Sequence, residues 1–343
     1  MNFKKEVISY TKKGRKNKTI NREFAEICKL SQHELKTFLN KKLSEYYKNV
    51  IAQDGFLYAK GKDKVCLTAH MDTVHKEPVI DFYEYKKDGK HIISSPQGIG
   101  GDDRCGIYMI LKILETGLRP TILFCEDEEI GCVGSSKFTR TKFIKDLKKM
   151  YFLIELDRRG GNNVVFYDDE NEDWIDFVTK STGYREEMGS FTDICELSPE
   201  CGISSVNIGC GYYNAHTLDE YVILEEMENS IKTTIKLIKE GLKRKEKFIY
   251  TEMPRNKIFS NGYDWYDTDY SDWYKPTPKF LTAYISFDNG YGEKGEEEFY
   301  GETVEAIFYE FMLKHQDISV SQITEFFVYD EGYNPVTTLL DVV

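Results

Sequence analysis

Of the six histidines in the 343 residues, two keep unusual company. His70 stands in His70-Met-Asp72, directly after the apolar run 65–69. In an extended segment that spacing puts both side chains on one side, where the Asp72 carboxylate can hold the imidazole in one tautomer. A glycine-rich turn, Gly98-Ile-Gly-Gly-Asp-Asp-Arg104, then delivers Asp102 and Asp103 at a helix start. Glu126-Asp-Glu-Glu-Ile-Gly131 places Glu128 and Glu129 behind a second apolar strand, and Asp157 ends a third in Glu155-Leu-Asp-Arg-Arg159. The other histidine, His216, lies in Asn214-Ala-His-Thr-Leu-Asp-Glu220.

Singly, each piece has a bland reading: a chance H-x-D, a solvated acidic face, an ordinary turn. Their shared place at strand ends changes that, because the carboxyl edge of an open α/β sheet is where ligands bind. Gathering four or five carboxylates there without compensation raises their pKa values through like-charge repulsion and is costly. No matching cluster of Lys or Arg accompanies them. Divalent cations are the natural compensation, and mixed His/Asp/Glu ligation suits zinc better than magnesium or calcium.

The elements that must position these residues follow from hydrophobic patterning. Residues 65–69, 121–125, 151–156 and 204–208 read as strands, several of them almost wholly apolar. Helices are expected over 103–116, 143–150 and 224–243, and one or two amphipathic helices over 21–49, with Ser31 and Glu34 forming a capping box. Residues 82–85 and 91–94 read as a hairpin. Strands alternating with helices indicate an α/β sheet covered on both faces. Beyond residue 250 an acidic, aromatic run (263–274) precedes an expected strand at 280–287 and helices at 303–315 and 321–328.

The motifs together resemble the co-catalytic dizinc exopeptidases and amidohydrolases that include the M20, M28 and M42 metallopeptidases. The matching residues are Leu67-Thr-Ala-His-Met-Asp-Thr-Val74, Gly101-Asp-Asp-Arg-Cys-Gly106, Glu128-Glu-Ile-Gly131, Asp157, Thr192-Asp193 and Asn214-Ala-His216. The resemblance covers residues 45–245. It implies that Asp102 bridges two metals, one also held by His70 and Asp157 and the other by Glu129 and His216. Asp72 then sits behind His70, and Glu128 is the general base. The two metals are expected to be Zn2+, with Co2+ or Mn2+ as substitutes. Only 58 residues separate Asp157 from His216 and 31 separate His70 from Asp102, which leaves no room for an inserted lid. The expected fold is a three-layer α/β/α sandwich around a mixed, mostly parallel sheet.

Neighbouring residues are given lesser parts. Asp103 caps the helix or orients Asp102, and His75 is a pocket-edge residue. Asp193 is either structural or near substrate. Arg158, Arg159 and Arg185 hold a substrate carboxylate or are surface charges. Met188 and Phe191 are expected to pack.

Composition sets the remaining bounds. The formal net charge of −12 disfavours a general phosphate-binding role, although residues 1–50 carry 13 Lys and Arg against 5 Asp and Glu. No nucleic-acid or membrane partner is expected: the chain has no long apolar run and no visible secretory signal. Eight cysteines without a C-x-x-C pair read as buried thiols in a reducing cytoplasm. The expected organisation is a catalytic domain at 1–250 and an acidic, aromatic extension at 251–343. The expected activity is cleavage of a terminal peptide or amide bond by a zinc-activated water, foremost as an aminopeptidase, with oligomerisation possible. A small-molecule amidohydrolase or N-deacylase with the same site is the near alternative. An inactive binding or scaffold protein using the tail is the alternative of another class.

Overall fold

The computed structural model describes residues 22–76, 78–87, 89–252, 281–288, 294–301, 314, 323–329 and 335–338. The chain divides into two compact units, Met1–Met253 and Pro254–Val343.

In the first unit, α1 (Arg22–Cys28) and α2 (Gln32–Leu43) lead into the hairpin β1 (Val50–Gln53) and β2 (Phe56–Ala59), then β3 (Val65–His70). A second hairpin, β4 (Tyr83–Lys87) and β5 (Lys90–Ser94), precedes α3 (Gly101–Glu115), β6 (Thr121–Cys125), α4 (Val133–Thr139) and α5 (Ile144–Leu147). Next come β7 (Phe152–Arg158), β8 (Asn163–Val165), α6 (Glu172–Thr182), β9 (Arg185–Glu186), α7 (Asp193–Cys201) and β10 (Ser205–Gly209). The last elements are β11 (Tyr212–Tyr213), β12 (Tyr221–Ile223) and α8 (Leu224–Arg244). Ser31 and Glu34 form the expected capping box at α2. The helix expected over 143–150 shrinks to the single turn of α5.

Eight strands form the central sheet in the order β1-β2-β6-β3-β7-β10-β8-β9. Its middle is parallel: β3 pairs with β6 and β7, and β7 with β10. The strand alternation sorts side chains to two faces. Leu67, Phe124 and Ile154 join a core with α1, α2, α3, α6 and α8, while Cys66, Leu123 and Leu153 join one with α4, α5 and α7. These are three layers, α/β/α, and mostly parallel strands at the centre. Trp174, wholly buried, anchors α6 among the rings of Phe152, Phe177 and Phe248 and donates its Nε1–H to the Ser205 carbonyl at 2.8 Å.

A smaller antiparallel sheet, β11-β12-β5-β4, takes up the second hairpin. The residues between His70 and Asp102 thus supply that hairpin, and those between Asp157 and His216 supply strands and helices of the main layers. Neither stretch forms an inserted lid. No helix among the described residues is long and apolar enough to cross a membrane.

The second unit holds an antiparallel sheet of β13 (Leu281–Asp288), β14 (Lys294–Gly301), β15 (Ile323–Tyr329) and β16 (Pro335–Thr338), in the order β14-β13-β15-β16. The expectation of a helix over 321–328 is therefore corrected. Ile-Thr-Glu-Phe-Phe-Val-Tyr is rich in β-branched and aromatic residues, and pairing with β13 and β16 decides its form. The acidic run 263–274 and the helix expected over 303–315, apart from Lys314, lie outside the described residues.

Candidate metal centre

Because β3, β6 and β7 run parallel and in register, with His70 opposite Cys125 and Thr68 opposite Glu155, their carboxyl ends meet at one edge. His70 ends β3, the loop 126–131 follows β6, and Asp157 lies near the end of β7. At the start of α3 the backbone leaves helical geometry at Asp102 (φ −83°, ψ 103°) and Asp103 (φ −117°, ψ 45°), across a cis peptide bond. That departure turns Asp102 toward the edge. His216 comes from the loop between β11 and β12.

The side chains converge in two triangles that share Asp102. His70 Nε2 lies 3.0 Å from Asp102 Oδ1 and 3.5 Å from Asp157 Oδ1. His216 Nε2 lies 3.3 Å from Asp102 Oδ2 and 3.1 Å from Glu129 Oε2. Each oxygen of one carboxylate thus faces a different imidazole. His70 is wholly buried and Asp102, Glu129 and Asp157 nearly so, whereas the His216 side chain is about half exposed. The grouping of His70, Asp102 and Glu129 as neighbouring donors, and of His70, Asp103 and Asp157, has the composition of a cation site.

Behind this cluster, polar partners set each orientation. Asp72 Oδ1 accepts from His70 Nδ1 at 3.2 Å and from the Glu128 amide at 3.0 Å, while Oδ2 accepts from the Glu129 amide at 3.0 Å. One carboxylate therefore holds the histidine and both adjacent glutamates. Asp157 accepts from Thr192 Oγ1 at 3.0 Å and from the Tyr212 hydroxyl at 3.2 Å, and its amide donates to Asn207. Asp103 accepts from the His70 amide at 3.1 Å and from the Gly106 amide at 2.8 Å, so it caps the resumed helix and braces the strand end. Lys36 and Gln32 of α2 reach the acidic loop, at Glu126 (2.5 Å) and Asp127 (2.9 Å).

The electrostatics point to a need for positive charge. Burial disfavours a charged His70, yet Asp157 and Asp102 push its pKa well above the usual imidazole value. Hydrogen bonds to Asp102 and Glu129 raise His216 to about 11. Burial and the Asp102 charge bring Asp157 up to about 7, and burial, with Asp157, Asp193 and Glu129 nearby, pushes Glu128 up to about 9. Glu129 Oε1 is buried without a hydrogen-bond partner. Donor separations of 3.0–3.5 Å match the edge of about 3.3 Å in a tetrahedron with zinc–ligand arms of about 2.0 Å. The residues present fit a pair of divalent cations, with His70 and Asp157 on one side, Glu129 and His216 on the other and Asp102 between.

Other expected neighbours fall differently. His75 turns from the cluster to pair with buried Glu220 at 2.9 Å. Arg158 donates to the Met188 carbonyl and, like Arg185, pairs with Glu187. Asp193 is wholly buried at the start of α7. Met188 and Phe191 do not pack. They are 56% and 43% exposed in the loop before α7, and neither joins either hydrophobic cluster. The parts played by Asn207, Tyr212 and Glu220 carry no sequence signal of their own: each is a single polar residue whose partner is remote in the chain.

The model of Peptidase family M28 matches residues 49–186, which contain His70, Asp72, Asp102, Asp103, Glu128, Glu129 and Asp157 but not His216. Among solved structures, the aminopeptidase PepT from Bacillus cereus ATCC 10987 is similar, with a TM-score of 0.52 and 15% identity over 64% of this chain and 97% of that chain. A tripeptidase from Staphylococcus aureus subsp. aureus Mu50 gives a TM-score of 0.50 and 14% identity over 65% of this chain and 97% of that chain. No curated protein matches the sequence. At these identities the structural likeness concerns the fold. Over residues 49–186 the chain is similar to Peptidase family M28, and it shares the α/β fold of these aminopeptidase and tripeptidase structures.

Proposed function

We propose that this protein is a metal-dependent aminopeptidase that removes the N-terminal residue of a peptide, using two divalent cations and Glu128 as general base. The single observation that carries the reading is the position of Asp102, whose two oxygens face two separate histidines. One carboxylate between two imidazole-containing donor sets suits a bridged pair of cations. Zinc fits the mixed His/Asp/Glu donors best, and cobalt or manganese can replace it. The family M28 match and the names of the similar structures, an aminopeptidase and a tripeptidase, support a peptide substrate.

When bound, the cations polarise the scissile carbonyl and lower the pKa of a water toward neutrality. The chain's own groups do the rest. Asp72 pins the Glu128 and Glu129 amides, so Glu129 reaches the donor set, and Glu128, whose raised pKa the charge of bound cations would lower, would take a proton and return it to the departing amine. With a cation bound, a neutral His70 that donates its Nδ1–H to Asp72 would turn the Nε2 lone pair inward. Thr192 and Tyr212 fix Asp157 from the other side.

The catalytic domain in this reading spans 1–250 and the extension 251–343 is an appendage. The eight free cysteines, seven of them buried, support residence in a reducing cytoplasm. The test is metal analysis together with hydrolysis of aminoacyl anilides, dipeptides and N-acyl amino acids. About two zinc per chain and chelator-sensitive release of N-terminal residues are expected. Turnover of N-acyl amino acids alone would move the assignment to a deacylase, and an inert protein under added zinc would leave a binding or scaffold role.

A further inference from the structure

The Glu220 side chain is wholly buried, yet it belongs to neither donor triangle. Its Oε2 accepts from the Gly100 amide at 2.8 Å and pairs with His75 Nε2 at 2.9 Å. Its Oε1 accepts from the Asp102 amide at 3.0 Å. Those amides sit at a helix start, where the first N–H groups have no partner within the helix. Glu220 supplies the partner and so fixes the non-helical backbone that aims Asp102.

The same residue anchors the segment that carries His216. Asn214 and His216 have φ values of 55° and 65°, a left-handed conformation that non-glycine residues rarely adopt without outside support. The loop is braced internally by Thr217 Oγ1 on the Asn214 carbonyl (2.8 Å) and by the Glu220 amide on the Thr217 carbonyl (3.2 Å). Its tie to the Asp102 turn is the Glu220 carboxylate. His75 in turn lies flat on Gly98, where a Cβ would stand 2.2 Å from its Nδ1, so the imidazole has little freedom to leave Glu220.

We propose, on the two-cation reading of the centre, that Glu220 and His75 form a clamp that positions Asp102 and the His216 loop together, and thereby sets the affinity of the cation held by Asp102, Glu129 and His216. The His70 and Asp157 side has further supports that the clamp does not touch, in Asp72, Thr192 and Tyr212. Loss of the clamp therefore weakens the cation on the His216 side more than the other, which shares only Asp102 with it. Glu220→Gln keeps the size but turns an amide NH2 toward backbone N–H groups, and His75→Leu removes the side-chain donor. His75→Gln restores one.

The metal-free protein and its variants are titrated with Co2+ alone, followed by visible absorbance, and zinc is counted after dialysis. In Glu220→Gln and His75→Leu one of the two dissociation constants is expected to rise by about 10–100-fold, the usual effect of losing a partner behind a metal ligand, while the other changes by no more than a few-fold. Dialysed variants should then retain one zinc where the parent retains two, and His75→Gln should recover most of the lost affinity. Two zinc retained at parental affinity, or equal weakening of both ions, overturns the clamp. If Glu220→Gln does not fold, the two His75 variants decide: a Gln variant as impaired as the Leu variant refutes the role. A parent chain that takes up fewer than two cobalt ions removes the two-cation reading and this proposal with it.

Discussion

Asp72→Asn is the sharpest single test of how the centre is held. Burial pushes the Asp72 carboxyl up, but His70 and the amides of Glu128 and Glu129 hold it below the ordinary carboxylate range. Three donors converge on it, His70 Nδ1 and the Glu128 amide on Oδ1 and the Glu129 amide on Oδ2. Asparagine has one accepting oxygen. If that oxygen serves His70 and Glu128, its NH2 group faces the Glu129 N–H, donor against donor. Leaving one such partly buried donor unsatisfied costs about 1–3 kcal/mol, or roughly 5- to 150-fold in a coupled equilibrium. The opposite rotamer disturbs His70 and Glu128 instead, at no smaller cost. The assay is competition against a chromophoric chelator, with kcat measured at saturating metal and circular dichroism as the check on folding. Metal affinity is expected to fall within that range in a folded protein. Affinity and kcat both within about twofold of the parent would show that Asp72 is a bystander, since the penalty for a lost hydrogen-bond partner is larger than that.

Four further outcomes follow from the same structure. Glu128→Gln should retain both ions by metal analysis while kcat falls by about 10²–10⁴-fold, the usual contribution of a general base; an undiminished rate removes Glu128 from that role. Trp174→Ala should lower stability by about 3–5 kcal/mol in urea, since it empties a site enclosed by three rings and strands a carbonyl; a loss below about 1 kcal/mol would mean the site collapses freely. Chelation should lower the thermal midpoint, because a ligand that binds only the folded state stabilises it by about 2.7 kcal/mol at 100 times its dissociation constant. Removing residues 254–343 should leave zinc stoichiometry unchanged, and a truncated chain unable to fold would assign those residues to the core.

The strands that carry the site are legible in the sequence for a plain reason. β3, β6 and β7 are buried on both faces, so they read as short unbroken apolar runs with acids or a histidine immediately behind. The long helices α3 and α8 are equally plain from their spacing. Other elements depend on contacts that no local pattern contains. α4, Val-Gly-Ser-Ser-Lys-Phe-Thr, has weak helix propensity, and its Gly134 is packed so closely that a Cβ would stand 2.3 Å from the Gly55 carbonyl oxygen. The strands β8, β9, β11 and β12 span only two or three residues, too few for periodicity to register. Within the site, adjacent acids and an H-x-D advertise metal chemistry. The residues that orient them do not, because Tyr212 meets Asp157 across 55 positions and Glu220 meets Asp102 across 118.

The order of the chain has a consequence for how this protein is made. His70 lies on a strand whose neighbours β6 and β7 are synthesised later, and His216 with Glu220 emerges after every other site residue. A growing polypeptide, folding from its N-terminus as it leaves the ribosome, passes through a long interval in which Asp102, Glu129 and Asp157 are already made but half of their histidine complement is missing. The donor set is therefore incomplete until every strand of the main sheet, the last of which ends at Gly209, has been made.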